Sequence, residues 1–376
     1  MLDRNIGKIH FINRIDKDNV GDWICSPLNY FYDYFKKYNL IRHDIDFIDW
    51  NEIQREDIVI VGGGGLLYVT ETFNLSINKL LQKCDTVIAW SVGFNTHGEQ
   101  WSNGNNFPEI PLDKFKLISI RDYEHPSNLE YLPCPSVFAL PSPDSVSVDI
   151  KRKFGLIGHK DLSVNLDNLH IEAISNSSSI NEIAEFILSS EAVITNSYHC
   201  AFWTMLLRRK AIVINKFSTK FDYYKYQPEF VTVSKNDDST TIKEVLEAAY
   251  GRAKIYDAAY DAAYDEAVKL NNDFFEKVKE IIFEKGIKEG NDYQHLYELN
   301  NSSLWNTQNE LKKIGRICIR LEELQNNIND LHDELYDVIN NLHDELYGVN
   351  AQLKEEISSG RFIKKALAKK ILGKGD

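Results

Sequence analysis

Short apolar runs separated by stretches of helical periodicity fill the first third of the chain. Residues 7–12 (GKIHFI), 44–48, 57–61 (DIVIV), 86–92 and 116–120 read as strands, the central ones apolar enough to be buried on both faces. Apolar positions at helical spacing predict a helix over 24–37, with Asp22 as its N-cap. Strands that alternate with helices predict a parallel sheet covered on both faces. Residues 97–111, rich in Gly, Asn and Pro, read as a surface loop long enough to serve as a lid. Prolines at 133, 135, 141 and 143 mark a domain boundary. Beyond it the pattern repeats, with strands over 153–157, 169–174, 192–195 and 211–215. A capping box at Ser179 and Glu182 opens a helix that runs to Leu188, and 201–207 is a second helix. Two such halves place a ligand site in the cleft between them, near the C-terminal ends of the strands.

From about Thr241 the chain turns helical. Tyr256, Tyr260 and Tyr264 recur at every fourth position and are expected to stack on one helix face, in the core or an interface, with stacking on a ligand as the alternative. Ile314, Ile317, Leu321, Leu324, Ile328, Leu331, Leu335, Val338 and Leu342 advance in steps of three and four, the seam of a coiled coil over 310–357. A single helix folded back on the rest of the chain is the alternative. The segment LHDELY at Leu331 recurs at Leu342, a spacing that unwinds the supercoil. In the tail, Phe362, Ile363, Ala366, Leu367 and Ile371 share a face, and Arg361, Lys364, Lys365, Lys369 and Lys370 surround it. Such a helix is too short to span a bilayer and suited to lie on an anionic leaflet, a solvated cationic end being the alternative. The expected division is 1–140 and 141–290 for the α/β halves, 291–358 for the coiled coil and 359–376 for the tail.

Composition narrows this further. The 376 residues, 43% of them apolar, suffice for two domains and an appendage. A net charge of −13 repels phosphate backbones, so no nucleic-acid partner is expected, and any anionic ligand must meet a local cluster of cations. Cys25, Cys84, Cys134, Cys200 and Cys318 form no CxxC pair, which suits reduced thiols better than disulfides or zinc. The first residues lack the apolar stretch of a secretory signal. The expected location is the cytoplasm, peripheral on the inner face of the cell membrane.

The residues that would carry chemistry sit at strand ends. The glycine run Gly62 to Gly65 follows the strand 57–61, where Gly63 and Gly64 would let a ligand approach the main chain or permit a ligand-free tight turn. Asn19, Gly21 and Asp22, in NVGD, read equally as a turn and cap or as ligand contacts. The segment TNSYH, Thr195 to His199, lies where a buried strand gives way to a helix, the place where open α/β sheets present reactive side chains. Ser197 and His199 are its candidates, His199 with a ring expected to titrate near neutrality. Arg121 ends the strand 116–120 and would fork onto a carboxylate or phosphate, or else pair with Asp122 or Glu124. Lys216 and Lys220 follow the strand 211–215 and would add cations to the same edge.

In this order, NVGD, strand-GGGG, SVGF (91–94), IRD (120–122) and TNSYH with a lysine downstream resemble the polysaccharide pyruvyl transferase family over about residues 7–220. The resemblance implies two Rossmann-like domains in a GT-B-like arrangement. It implies transfer of the enolpyruvyl unit of phosphoenolpyruvate to a sugar hydroxyl pair of a cell-surface polysaccharide or its lipid-linked precursor, closing a ketal. It makes His199 the acid–base residue and Arg121 the arginine that holds the donor, with no cofactor and no metal. Many members carry Arg two residues before the His, where this chain has Ser197. Either Lys216 or Lys220 replaces that charge, or the donor is a nucleotide sugar and the chain a GT-B glycosyltransferase of surface-glycan synthesis. A non-catalytic assembly protein built around the coiled coil is a third possibility.

Overall fold

A strand buried on both faces needs an unbroken apolar run, and β1 (Ile9–Asn13), β3 (Ile58–Gly62) and β4 (Thr86–Val92) are buried along their whole length. With β2 (Leu40–Asp44), β5 (Leu117–Ile120) and β6 (Glu130–Tyr131) they form a six-stranded, all-parallel sheet in the order β2-β1-β3-β4-β5-β6. Strands β7 (Arg152–Gly158), β8 (Ala173–Ser175), β9 (Ser190–Thr195), β10 (Lys210–Ile214) and β11 (Glu229–Val231) form a second parallel sheet in the order β11-β10-β9-β7-β8. The chain is thus a mixed α/β protein with two parallel sheets. The computed structural model describes residues 7–16, 18–96, 108–162, 164, 166, 169–234, 236–256, 263–289, 324–325, 328–357 and 360–372. These fall into two units, Met1–Leu299 and Asn300–Asp376.

In the first unit, α1 (Val20–Ile24), α2 (Leu28–Phe35) and α3 (Glu71–Lys83) accompany the first sheet, and α4 (Ile180–Leu188), α5 (Tyr198–Leu206) and α6 (Ser239–Arg252) the second. The last helix of the unit, α7 (Ala263–Lys285), returns to the first sheet. Its Phe274, Val278 and Ile282 share a core with Ile9, Phe11, Ile58, Ile60 and Trp90, and the Trp90 indole donates to Asn271 Oδ1 at 3.0 Å.

Several elements differ from the sequence expectation. The helix expected over 24–37 is two helices, because Pro27 has no N–H to continue α1 and instead opens α2. Asp22 is not an N-cap. Asn19 holds that position, and Asp22, in the first turn of α1, accepts from Asn19 Nδ2 at 2.9 Å. Strand β2 lies at 40–44 instead of 44–48, since its polar residues find buried partners: His43 Nε2 meets His10 Nδ1 at 3.0 Å, and Asp44 Oδ2 accepts from the Ile15 amide at 2.9 Å. Strand β8 covers only the end of 169–174. The proline-rich segment between the sheets is packed: it holds a 3-10 helix, Pro135–Ala139, with Pro135, Ser136 and Val137 buried. Tyr256 lies outside any helix and donates to the Gln227 carbonyl at 2.8 Å, while Tyr264, in α7, reaches the Leu140 carbonyl at 3.3 Å. Tyr260 is outside the described residues, as are Ile314, Ile317, Leu321 and residues 97–107 of the lid expected over 97–111.

The second unit contributes α8 over residues 328–357, with Leu331, Leu335, Val338 and Leu342 exposed, and α9 (Arg361–Leu372). Among the described residues no helix is long and apolar enough to cross a membrane.

Candidate active site

Each sheet has a point where the chain reverses its direction of travel. Strand β1 lies between β2 and β3, and β7 lies between β8 and β9, and in open α/β sheets a crevice opens outside the C-terminal strand ends at such points. Helix α1 joins the two. The Val20 amide donates to the Asn176 carbonyl at 3.1 Å, Asn176 Nδ2 donates to Asn19 Oδ1 at 3.2 Å, and Val20, Ile24 and Cys25 share a core with α5. This brings Asn19, Gly21 and Asp22 to the N-terminus of α5.

His199 is the second residue of α5. The turn before it is fixed by Thr195, whose hydroxyl donates to the Ile157 carbonyl at 2.6 Å and accepts from the Ser197 amide at 3.0 Å. Asn196 ties down the loop after β7 through the His159 amide at 2.8 Å and the Leu162 carbonyl at 2.8 Å. Ser197 is the helix N-cap, buried and without a side-chain capping bond. The His199 ring is 6% exposed and stacks on Trp203, with centroids 5.6 Å apart. A Cβ on Gly21 would stand 2.2 Å from Nδ1, so only glycine fits beside the ring. Titration near neutrality does not survive this packing. Burial, and then the charges of Arg121 and Lys220, hold the imidazole well below its ordinary value and keep it neutral.

Arg121 follows β5 and is 3% exposed. Its guanidinium lies 3.9 Å from the centre of the Tyr198 ring. Nε and Nη1 are buried without a hydrogen-bond partner. The pairing with Asp122 or Glu124 is not made: among the described residues no carboxylate lies within ion-pair distance. Asp122 Oδ2 instead accepts from the Phe94 amide at 2.7 Å. Two glycines seat the arginine, since a Cβ on Gly93 would stand 2.4 Å from Nε and one on Gly65 2.9 Å from Nη2.

The sequence profile of the family described as polysaccharide pyruvyl transferase matches residues 7–215, which is 209 of 376 residues. The chain belongs to the polysaccharide pyruvyl transferase family. It is accordingly a transferase, and the family implies a polysaccharide acceptor. No curated protein matches its sequence. Among solved structures, an uncharacterized protein from Klebsiella pneumoniae subsp. pneumoniae NTUH-K2044 is similar with a TM-score of 0.38 and 19% identity, over 61% of this chain and 93% of that one.

The match to the pyruvyl transferase family runs from just before β1 to just past β10 and contains His199, Arg121, Asn19, Gly21, Asp22, Gly63, Gly64 and Ser197. Lys216 and Lys220 lie just beyond it and part ways. Lys216 forms an ion pair with Asp222 and lies 5.8 Å from the Phe230 ring centre. Lys220 is partly buried, 4.6 Å from the Phe217 ring centre. Burial and then Arg121 lower its pKa to about 8, against the pull of Asp22. Asp22 is itself raised, by burial foremost and by Asp16, against the charges of Lys220, Arg14 and Arg121. The glycine run serves mainly as a backbone turn. Gly63 and Gly64 have φ of +72° and +88°, and a Cβ on Gly63 would stand 1.9 Å from the Cys25 carbonyl oxygen. The Gly63 amide is taken by the Trp90 carbonyl at 2.8 Å, and α3 begins only at Glu71, capped by Thr70.

Asn95 Oδ1, Asp122 Oδ1 and Ser218 Oγ are buried and unpartnered beside strand ends, and the Cys134 sulfur is 3.7 Å from His199 Nε2. The sequence marks Asp122 only as a partner for Arg121 and Cys134 only as a reduced thiol, and it does not mark Asn95 or Ser218 as site residues. Asn95 closes on the SVGF segment and Cys134 stands in the proline-rich segment, so each lay next to a visible signal. The four described cysteines, Cys25, Cys84, Cys134 and Cys200, are free and buried. Among the described residues no cluster of His, Cys, Asp and Glu is placed to hold a metal ion.

Proposed function

We propose that this chain transfers the pyruvyl group of phosphoenolpyruvate onto two hydroxyls of one sugar in a surface polysaccharide or its lipid-linked precursor, closing a ketal. The observation that carries the reading is Arg121, a guanidinium almost sealed from water with two nitrogens unpartnered. Burying an unanswered cation is costly, and an anionic ligand removes the cost. Lys220 adds a second cation in the same electrostatic neighbourhood. Phosphoenolpyruvate carries a phosphate and a carboxylate, two anionic groups for two cations. Lys220 thereby stands in for the arginine that Ser197 replaces.

In this scheme the methylene carbon of the donor takes a proton, the central carbon becomes oxocarbenium-like, and the first sugar hydroxyl attacks it. The second hydroxyl displaces phosphate. Of the two hydroxyl protons, one balances the new methyl group and the other leaves with phosphate. His199, neutral and buried, is suited to accept a hydroxyl proton. Arg121 and Lys220 stabilise the departing phosphate. A GT-B-like arrangement is supported by the two strand-order reversals joined through α1 and by the return of α7 to the first sheet. The exposed apolar seam of α8 would pair with a second copy, and the cations of α9 would hold the enzyme at the anionic inner leaflet, near a lipid-linked acceptor.

The test is turnover. Incubation with phosphoenolpyruvate and glycan acceptors should release phosphate and form an acid-labile ketal. Ser197 in place of Arg favours one rival, a glycosyltransferase. Consumption of a nucleotide sugar, with phosphoenolpyruvate untouched, would establish that rival and overturn the proposal.

A further inference from the structure

His199 is gripped at three points. Its ring stacks on Trp203, one turn along α5, with an interplanar angle of 28°. Gly21 of α1 packs against the Nδ1–Cγ–Cβ edge so closely that no side chain fits. Nε2 lies 3.7 Å from Cys134 Sγ. A chain of hydrogen bonds leads away from that sulfur: the Trp203 indole donates to Ser136 Oγ at 2.9 Å, and the Ser136 hydroxyl donates to Cys134 Sγ at 3.2 Å. Trp203 and Ser136 are fully buried and Cys134 is 1% exposed, so this network sees no solvent. Nδ1, in contrast, has no hydrogen-bond partner among the described residues, and it is not one of the sealed, unpartnered polar atoms.

We infer that Nδ1 of His199 is the nitrogen that takes the proton, and that Cys134, Ser136 and Trp203 are positioning residues that hold Nε2–H against the Cys134 sulfur. The Ser136 hydroxyl already donates to that sulfur, and in the arrangement inferred an imidazole N–H at Nε2 is its second donor, which leaves a lone pair on Nδ1. A thiol is a weak acceptor. It orients the ring as a carboxylate would, without the negative charge that would stabilise imidazolium and convert the base to its protonated form. The holding residues come from two elements, Trp203 from α5 and Cys134 with Ser136 from the segment that links the sheets. The ring is therefore correctly set only when that linking segment is packed against the second sheet.

This inference rests on pyruvyl transfer for its kinetic test and stands apart from it in its spectroscopic one. In the full-length chain, Cys134→Ala and Ser136→Ala should each lower kcat by about 10- to 100-fold, as a misplaced catalytic group does, with KM for phosphoenolpyruvate unchanged. Cys134→Ser should recover part of the loss, because an oxygen also accepts from Nε2–H. Selective 15N labelling of histidine should show His199 with hydrogen on Nε2 in the wild type. Wild-type kcat in both folded alanine variants would overturn the inference, as would hydrogen found on Nδ1 in the resting protein. If Cys134→Ala does not fold, Ser136→Ala and the nitrogen shifts decide. If the wild type does not turn over phosphoenolpyruvate at all, the proposed function fails and the nitrogen shifts alone decide the orientation.

Discussion

A guanidinium 3% exposed, with Nε and Nη1 unpartnered, is a standing demand for an anion. Removing it should therefore act on the donor more than on the acceptor. Arg121→Ala is expected to raise KM for the donor by about 10- to 150-fold, the equivalent of roughly 1.5–3 kcal/mol for a charged hydrogen bond. Gly93→Ala should act in the same direction, since its Cβ would stand 2.4 Å from Arg121 Nε and push the side chain aside. Steady-state kinetics over donor and acceptor concentrations check both, and an unchanged donor KM in Arg121→Ala would remove the arginine from donor binding. Arg121 and His199 were legible in the sequence because each ends or follows a strand that reads clearly. Their surroundings were not. Nothing local says that Gly21 must be bare to admit the ring of a residue from the other half, or that Cys134 would meet that ring, because both facts arise only when the halves close on each other.

At the scale of elements, legibility followed burial. The strand Thr86–Val92 is found where its apolar run places it, because a strand covered on both faces has no polar position to blur its ends. Strand β2 was misplaced because His43 and Asp44 are polar yet buried, satisfied by partners on other segments. Strands β6 and β11, of two and three residues, are too short for any periodicity to show. Helix α8 presents the opposite case: the expected seam is there, and Leu331, Leu335 and Leu342 are 64%, 59% and 57% exposed in the single chain. An apolar stripe of that length is expected to pair with a second copy. Light scattering of the full chain should give a multiple of 43.4 kDa, and Leu335→Asp with Leu342→Asp should return it to one chain. A wild-type mass of one chain would refute the pairing. Helix α9 exposes Ile363 and Leu367 together with Lys364, Lys365, Lys369 and Lys370. It should bind vesicles of anionic lipid, lose them as salt shortens the screening length to about 8 Å at physiological strength, and release them when the four lysines become Glu. Equal binding to neutral vesicles would exclude an electrostatic anchor.

Across the whole molecule, three packed imidazoles contribute to the acid limit of stability, His43 and His199 buried and His159 half-buried. Burial, before any neighbouring charge, lowers His43 to about 3, His159 to about 4 and His199 well below its usual value. As the pH falls below about 6.5 the unfolded chain takes up protons that the folded chain refuses, so stability present above that pH is lost on the way down. Asp122 works in the other direction: burial raises its carboxyl to about 7, so its contribution is lost as the pH rises toward that value. Asp22, also raised by burial, adds to that second direction, and the three imidazoles outweigh the two carboxyls, so Tm should be lower at about pH 5 than at about pH 7.5; a higher Tm at the acid pH would contradict this. In the proposed function Arg121 holds a small donor that carries a phosphate and a carboxylate, and thermal shift decides it, because a ligand that binds only the folded chain raises its melting point. Phosphoenolpyruvate should raise Tm of the wild type and leave Arg121→Ala unmoved, with nucleoside diphosphates inert toward both. A Tm raised by a nucleoside diphosphate and unaffected by phosphoenolpyruvate would contradict the claim.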